Sequence, residues 1–179
     1  MTFGTIALMA LETAPIHPPV RNLAAVAPVA EAPAQVVYAT EIPIQPLKWR
    51  NIVIHSTAGE PGVVGRCHFV VHPVASGMTE AVEATAFWKH QLESRHTNIP
   101  GRDYNTDSIG ICLVGDFHRQ QPPPGQLQML IALVHVLQRQ FNISADHIYL
   151  HSELDADSQS PGAAFPAERF TASLLRPDR

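Results

Sequence analysis

Histidine is the residue to start from, because the chain of 179 residues carries ten of them. Imidazole changes charge near neutral pH and is a common metal ligand. Two of the ten sit at the ends of short apolar runs, His55 in Asn51 to Ser56 (NIVIHS) and His151 after Ile148-Tyr149-Leu150. A histidine closing a strand faces the rim of a sheet, where ligands and catalytic groups collect in open α/β folds. Two imidazoles meeting there could hold a zinc ion and leave room for a third ligand and a water. The same positions also suit two structural histidines satisfied by hydrogen bonds. Asp155 and Asp157 follow His151 closely enough to turn a carboxylate toward such a metal, or to make turn hydrogen bonds. Cys67 and Cys112 could supply a thiolate for a His/His/Cys site, or lie as buried thiols or a disulfide. Two cysteines exclude a disulfide framework and a four-cysteine zinc site. No Ser-His-Asp order, phosphate-cradling glycine loop or heptad pattern stands out.

The elements that must position these residues are readable in outline. NIVIHS is a β-branched run that reads as a strand buried on both faces. Cys67 to His72 (CHFVVH) reads as a second strand, Ser108 to Gly115 (SIGICLVG) as a third, and Ile148 to His151 (IYLH) as a fourth. Between the third and fourth, Leu127, Leu130, Ile131, Val134, Leu137 and Phe141 fall on one helical face. They follow Pro122-Pro123-Pro124 and precede Asn142, which predicts a helix over 125–141. Phe165 to Leu175 suits a short terminal helix. Strands alternating with helical text predict an α/β domain with a central mixed sheet flanked by helices.

Composition adds limits. Hydrophobic residues make up 45% of the chain, enough for one buried core, while charged residues are only 16%. The net charge of −4 argues against a nucleic-acid footprint, which needs a basic stripe. Prolines number sixteen, crowded with alanine toward the N-terminus. Residues 1–47 therefore read as an Ala/Pro-rich linker or targeting remnant outside the fold, with the domain over 48–179. The apolar stretch from Ile6 to Leu11 is too short to span a bilayer, and no Lys or Arg precedes it to mark a signal peptide.

The order of landmarks carries a further reading. Ile52-Val53-Ile54-His55-Ser56-Thr57-Ala58, Cys67-His68-Phe69-Val70-Val71, the run from Ser108 to Phe117, and His151 followed by Ser160-Pro161-Gly162 closely resemble the zinc-dependent N-acetylmuramoyl-L-alanine amidases, a family that includes the peptidoglycan recognition proteins. The resemblance runs from about Trp49 to Phe165 and takes in Trp88 and the segment from His96 to Asn105. It implies a domain directed at peptidoglycan or muropeptides. The activity implied is hydrolysis of the amide between N-acetylmuramic acid and L-alanine, with zinc polarising the carbonyl and activating water. It implies His55 and His151 as zinc ligands and Ser160 as the position of the third. His96 matches a groove histidine that would contact substrate, and His68 a structural hydrogen bonder. Cys67 and Ser158 fall at active-site positions, the first usually tyrosine and the second often lysine or threonine.

Several of these positions depart from the family pattern. Serine replaces the cysteine or aspartate expected at 160, and a neutral hydroxyl is a much poorer zinc ligand. Cysteine replaces the tyrosine at 67. Cys112 stands where members lacking the tyrosine carry a glutamate, although members that rely on the tyrosine also carry a cysteine there, which reads as a buried small hydrophobe. About eleven residues separate His55 from Cys67, too few for the helix that usually walls the groove. The reading is a peptidoglycan-directed amidase-like domain with weakened zinc binding, a cell-wall substrate favouring an extracytoplasmic or periplasmic location. The alternative is a muropeptide-binding module on the same fold that does not cut.

Overall fold

The computed structural model describes residues 31–58, 61–73, 81–99 and 101–176. The expected linker character of residues 1–30 lies outside the described residues. The chain runs α1 (Glu31–Tyr38), β1 (Asn51–Ser56), α2 (Pro61–Val64), β2 (Phe69–Val71), β3 (Val82–Ala84), α3 (Ala86–Lys89), β4 (Ser108–Leu113), α4 (Pro124–Phe141), β5 (Ile148–Leu150), α5 (His151–Leu154) and α6 (Ala167–Ser173). A single 3₁₀ turn, Ala145–His147, leads into β5. The sheet order is β3-β2-β4-β1-β5. β1 runs parallel to both β4 and β5, β2 runs parallel to β4, and β3 pairs antiparallel with β2. This is the mixed α/β sheet flanked by helices that the sequence predicts.

Residue alternation explains how one sheet carries both a core and a site. Ile52, Ile54, Phe69, Val71, Ile109, Ile111, Leu113, Ile148 and Leu150 belong to the apolar cluster that also contains Leu130, Leu133, Val134 and Leu137 of α4. The intervening residues Asn51, Val53 and His55 of β1 and Ser108, Gly110 and Cys112 of β4 take the other face. They lie side by side, Asn51 opposite Ser108, Val53 opposite Gly110 and His55 opposite Cys112. Small and polar residues thus collect on the face away from α4.

Helix α4 begins at a proline, whose missing N–H costs nothing in the first turn, and ends at Asn142 in the left-handed conformation (φ 54°). Leu130 and Val134 are fully buried, as the periodicity requires. Gln126 on its buried side donates through Nε2 to the carbonyls of Val71 and Val114, pinning the helix to the ends of β2 and β4.

The structure corrects the sequence in two places and fills in a third. First, part of the expected linker is folded: α1 packs on α4, Val37 is fully buried, and the Trp88 indole donates to the Val37 carbonyl at 2.9 Å. Pro33 falls in the first turn of that helix, where proline is tolerated. Second, the edge strand β3 has only three residues and was not foreseen. Third, the connection from β1 to β2 carries a single helical turn, α2. It therefore lacks a long groove-wall helix, in line with its length. Strand and helix limits also shorten slightly: Cys67 and His68 precede β2, His151 opens α5 instead of closing β5, and the last helix spans Ala167–Ser173.

Candidate functional site

His55 and His151 meet at the C-terminal rim of the sheet. His55 is brought there by β1, and His151 by the abrupt change from β5 to α5, where the Leu150 N–H donates to the Glu153 carboxylate at 2.7 Å. Their ring centroids are 4.6 Å apart. Ser158 Oγ lies 3.0 Å from His151 Nδ1 and also accepts the Ser160 N–H at 3.2 Å. Ser160 sits beside the pair, its Oγ accepting the Ser56 N–H at 3.0 Å and its carbonyl the Ser152 N–H at 2.8 Å. The turn holding it is pressed against the backbone after β4. Gly162 has φ +130°, and a Cβ there would fall 2.4 Å from the Phe117 carbonyl carbon. Only glycine fits that approach.

His96 is a third imidazole in the cluster. It is buried, with its Nδ1 3.1 Å from His55 Nε2. Its Nε2 faces the Ser108 carbonyl at 3.4 Å, an acceptor only, so Nε2 carries the proton and Nδ1 accepts from His55. His68 plays the structural part expected of it. Its Nδ1 accepts the Gly110 N–H at 2.9 Å and its Nε2 donates to the Leu92 carbonyl at 2.9 Å.

All four rings are held neutral. Burial, followed by the neighbouring His96 and His151, lowers the His55 pKa well below the ordinary value. Burial takes His68 down to about 3 and His96 down to about 4, and lowers His151 as well, Asp155 partly opposing that last shift. Neutral imidazoles with depressed proton affinity suit ligation, because a ligand needs its lone pair.

The remaining sequence candidates separate cleanly. Cys67 and Cys112 form a disulfide. That removes both thiolates, so a His/His/Cys site is excluded: a disulfide sulfur has no negative charge to give a metal. Asp157 is exposed and its N–H donates to Asp155 Oδ1 at 3.0 Å, the turn hydrogen bond expected of it. Asp155 Oδ2 comes within 3.9 Å of His151 Nε2, an ion-pair distance beyond hydrogen-bond reach.

His55, His96, His151, Asp155, Ser158 and Ser160 line a cleft of about 430 Å³. Three of its lining residues carried no signal in the sequence: Arg66, Arg95 and His118. Each is an exposed polar residue in irregular backbone, outside any periodic pattern.

Does the donor set fit zinc, the metal implied by the family resemblance? His151 Nε2 is buried and has no hydrogen-bond partner, as an atom awaiting a ligand would be, and its Nδ1 is oriented by Ser158. His55 stands beside it. The third donor fails, since Ser160 offers a neutral hydroxyl. Among the described residues no three His, Cys, Asp or Glu side chains group to hold a metal. The set falls one strong donor short of a closed or catalytic zinc site.

The family model for N-acetylmuramoyl-L-alanine amidase matches residues 45–163. The chain belongs to this amidase family. α1 lies before the matched residues and packs against α4 and β3 within them. A comparison with curated protein sequences finds no match. Among solved structures, the fold is shared with the endolysin N-acetylmuramoyl-L-alanine amidase LysCS from Clostridium intestinale URNW. Identity is 22%, TM-score 0.53, with 75% of this chain and 90% of that one covered. It is also shared with the E. coli amidase AmiD in complex with anhydro-N-acetylmuramic acid-L-Ala-D-gamma-Glu-L-Lys. Here identity is 19%, TM-score 0.58, and coverage 75% and 60%. A third likeness is to the ectodomain complex of the peptidoglycan recognition proteins LCa and LCx bound to tracheal cytotoxin. Identity is 22%, TM-score 0.52, and coverage 73% and 86%.

Proposed function

We propose that this amidase-family domain recognises peptidoglycan muropeptides, holds zinc weakly, and cleaves the N-acetylmuramic acid–L-alanine amide slowly or not at all. One observation carries the reading. Cys67 and Cys112, the positions that the family resemblance gives to a catalytic tyrosine or glutamate, are bonded to each other. Neither can donate to a developing oxyanion, a contribution worth about 10²–10³ in rate, or take a proton from water, worth about 10²–10⁴ in enzymes generally. Ser160 adds to this by supplying a hydroxyl at the third-ligand position. The cleft itself persists, with His55, His96, His151 and Ser158 on its walls. The muropeptides bound by AmiD and by the recognition-protein complex support the choice of ligand class.

A second reading keeps a specific observation in its favour. The unpartnered, buried His151 Nε2 is what a metal ligand looks like without its metal, and it supports a zinc amidase with an unorthodox third group. One experiment separates the two. Purified protein is analysed for metal, then incubated with muropeptides and tested for binding to insoluble peptidoglycan. The proposal expects substoichiometric zinc, retention on peptidoglycan, and little release of L-alanine-terminated peptide. Stoichiometric zinc with chelator-sensitive cleavage would overturn it.

The location follows as part of the same proposal. A disulfide between the chain's two cysteines is at home in an oxidising compartment, which supports an extracytoplasmic setting, where cell-wall ligand is found. No helix among the described residues is long and apolar enough to cross a membrane.

A further inference from the structure

We propose that Ser158 and His151 form a metal-independent nucleophile and base, with Asp155 behind the ring, that hydrolyses small acyl esters. The activity is separate from amide cleavage and does not rest on the muropeptide reading, although it uses the same cleft. Ser158 Oγ lies 3.0 Å from His151 Nδ1, the contact an activated serine makes with its base. Asp155 Oδ2 stands 3.9 Å from His151 Nε2, beyond hydrogen-bond reach but close enough for its charge to act. Such contacts are often looser before substrate binds. All three residues belong to one short loop laced by its own hydrogen bonds. The Asp155 N–H donates to the His151 carbonyl at 3.0 Å, and the Ser158 N–H to the Asp155 carbonyl at 3.1 Å. Asp155 Oδ1 is engaged by the Asp157 N–H at 3.0 Å, which leaves Oδ2 for the ring.

Proton positions follow from the partners. Ser158 Oγ already accepts the Ser160 N–H at 3.2 Å, so its own proton is available for Nδ1. Nε2 is buried without a hydrogen-bond partner, and the Asp155 carboxylate, an acceptor only, favours a proton on it. That tautomer leaves the Nδ1 lone pair facing the hydroxyl, as a general base requires. A zinc ion on Nε2 needs the opposite tautomer, so metal binding and nucleophile activation exclude each other. Gln159 follows the nucleophile and lines the cleft, and its backbone N–H makes no hydrogen bond among the described residues. An N–H in that place can take charge on a carbonyl oxygen.

The reaction balances with water alone. Ser158 Oγ bonds to the acyl carbon as its proton passes to His151 Nδ1. The acyl–alkoxy bond breaks, and the alcohol leaves with that proton. Water then attacks the acyl-serine, its proton passing to Nδ1 and on to Ser158 Oγ, and the acid is released. An ester is the fitting class because an alcohol leaves more readily than an amine. A single N–H beside the nucleophile is also a sparse oxyanion site for the harder amide.

The test uses the full chain in chelator, with a fluorophosphonate and p-nitrophenyl acetate as probes. The fluorophosphonate should lose fluoride and form an adduct that peptide mass spectrometry places on Ser158. Turnover of p-nitrophenyl acetate should fall by about 100-fold or more in Ser158→Ala, and His151→Gln should slow both reactions by about 100-fold. Asp155→Asn should slow them less, given its longer contact. Added zinc should suppress both reactions, where it would stimulate a zinc hydrolase. Because Ser158→Ala also leaves the Ser160 N–H without its acceptor, Ser158→Cys supplies a second test. Cys67 and Cys112 are bonded to each other, so iodoacetamide should alkylate only the new thiol. Alkylation should be faster than in the Ser158→Cys, His151→Gln double variant. Absence of a Ser158 adduct, or equal turnover by wild type and Ser158→Ala, overturns the proposal. So do reactions that His151→Gln leaves unchanged in either background, or that zinc stimulates. Retention on peptidoglycan tests the muropeptide reading separately.

Discussion

Gly110 and His96 compete for one space: a Cβ on Gly110 would lie 2.7 Å from His96 Cγ and 2.8 Å from its Cδ2. The glycine in the centre of β4 is therefore what lets an imidazole pack close to the strand backbone and reach His55. Ring atoms close to the backbone cannot swing aside as the end of a long side chain can. Gly110→Ala should destabilise the fold by about 1–3 kcal/mol, as overpacking does, and should push His96 away from His55. Urea unfolding measures the first effect. Adding His96→Ala should return part of the loss, since the two changes are coupled through one volume. Additive losses in the double variant would mean the ring does not occupy that space.

Ser160 is the position at which zinc binding can be regained. Ser160→Cys places a thiolate in a turn held through its backbone, by the Ser152 N–H on the Ser160 carbonyl and by the Gly162 approach to Phe117, and should move zinc content toward one per chain. Cleavage should stay about 10²–10³ below a competent amidase, because the Cys67 position still lacks a donor. His151→Ala in that background should remove the metal again. Metal analysis and a muropeptide release assay read the two effects separately. Wild-type zinc content equal to that of the cysteine variant would show that the hydroxyl suffices.

How much of this was legible in the residues depends on periodicity. β1 is a short β-branched run, β4 alternates between large apolar and small or polar residues, and α4 repeats its apolar face over eighteen residues, so these elements could be placed from the sequence. β3 is three residues long, too short to show a period. α1 is held by what it touches, Val37 against Trp88 and Tyr38 Oη donating to Gln140 Oε1 at 2.7 Å. Nothing local announces those partners in Ala/Pro text. His55 and His151 could be found because they end apolar runs. Arg66 and Arg95 could not, since an exposed charge in irregular backbone has no pattern until the fold brings it to a cleft.

The disulfide makes a strong prediction for stability. Its cysteines are 45 residues apart in sequence, and closing a loop of that length stabilises by up to about 4 kcal/mol in the chain-entropy account. Thiol alkylation without reductant should label neither cysteine. Reduction, or the Cys67→Ala, Cys112→Ala pair, should lower the urea midpoint accordingly. Labelling of both cysteines in oxidised, folded protein would remove the bond from the argument, and with it the support it lends to an oxidising compartment.

Helix α1 should matter although the family domain begins after it. Removing the chain through Thr40 exposes the fully buried Val37 contact and leaves the Trp88 indole N–H without its carbonyl. Lost apolar burial and an orphaned donor together should cost about 3 kcal/mol. A chain beginning at residue 41 should therefore melt well below one beginning at residue 31. Equal melting temperatures would return this segment to the status of a linker.

Acid should unfold the domain earlier than its carboxylates alone would require. His68 is locked in one neutral tautomer by the Gly110 N–H and the Leu92 carbonyl, and burial, with His96 adding, takes its pKa to about 3. In the unfolded chain the same ring titrates near 6.5. Above that value both states are neutral and stability is complete. As pH falls below it, the unfolded state takes up the proton and the folded state does not, so stability declines until the folded ring protonates near 3. His96, at about 4, follows the same course over a narrower window. Each such ring removes up to about 1.4 kcal/mol per pH unit within its window. Urea titrations in chelator at pH 7, 6, 5 and 4 should show this decline, and His68→Asn should make it shallower while lowering stability at pH 7. A flat profile from pH 6.5 to 4.5 would mean that these imidazoles are open to water in the folded protein.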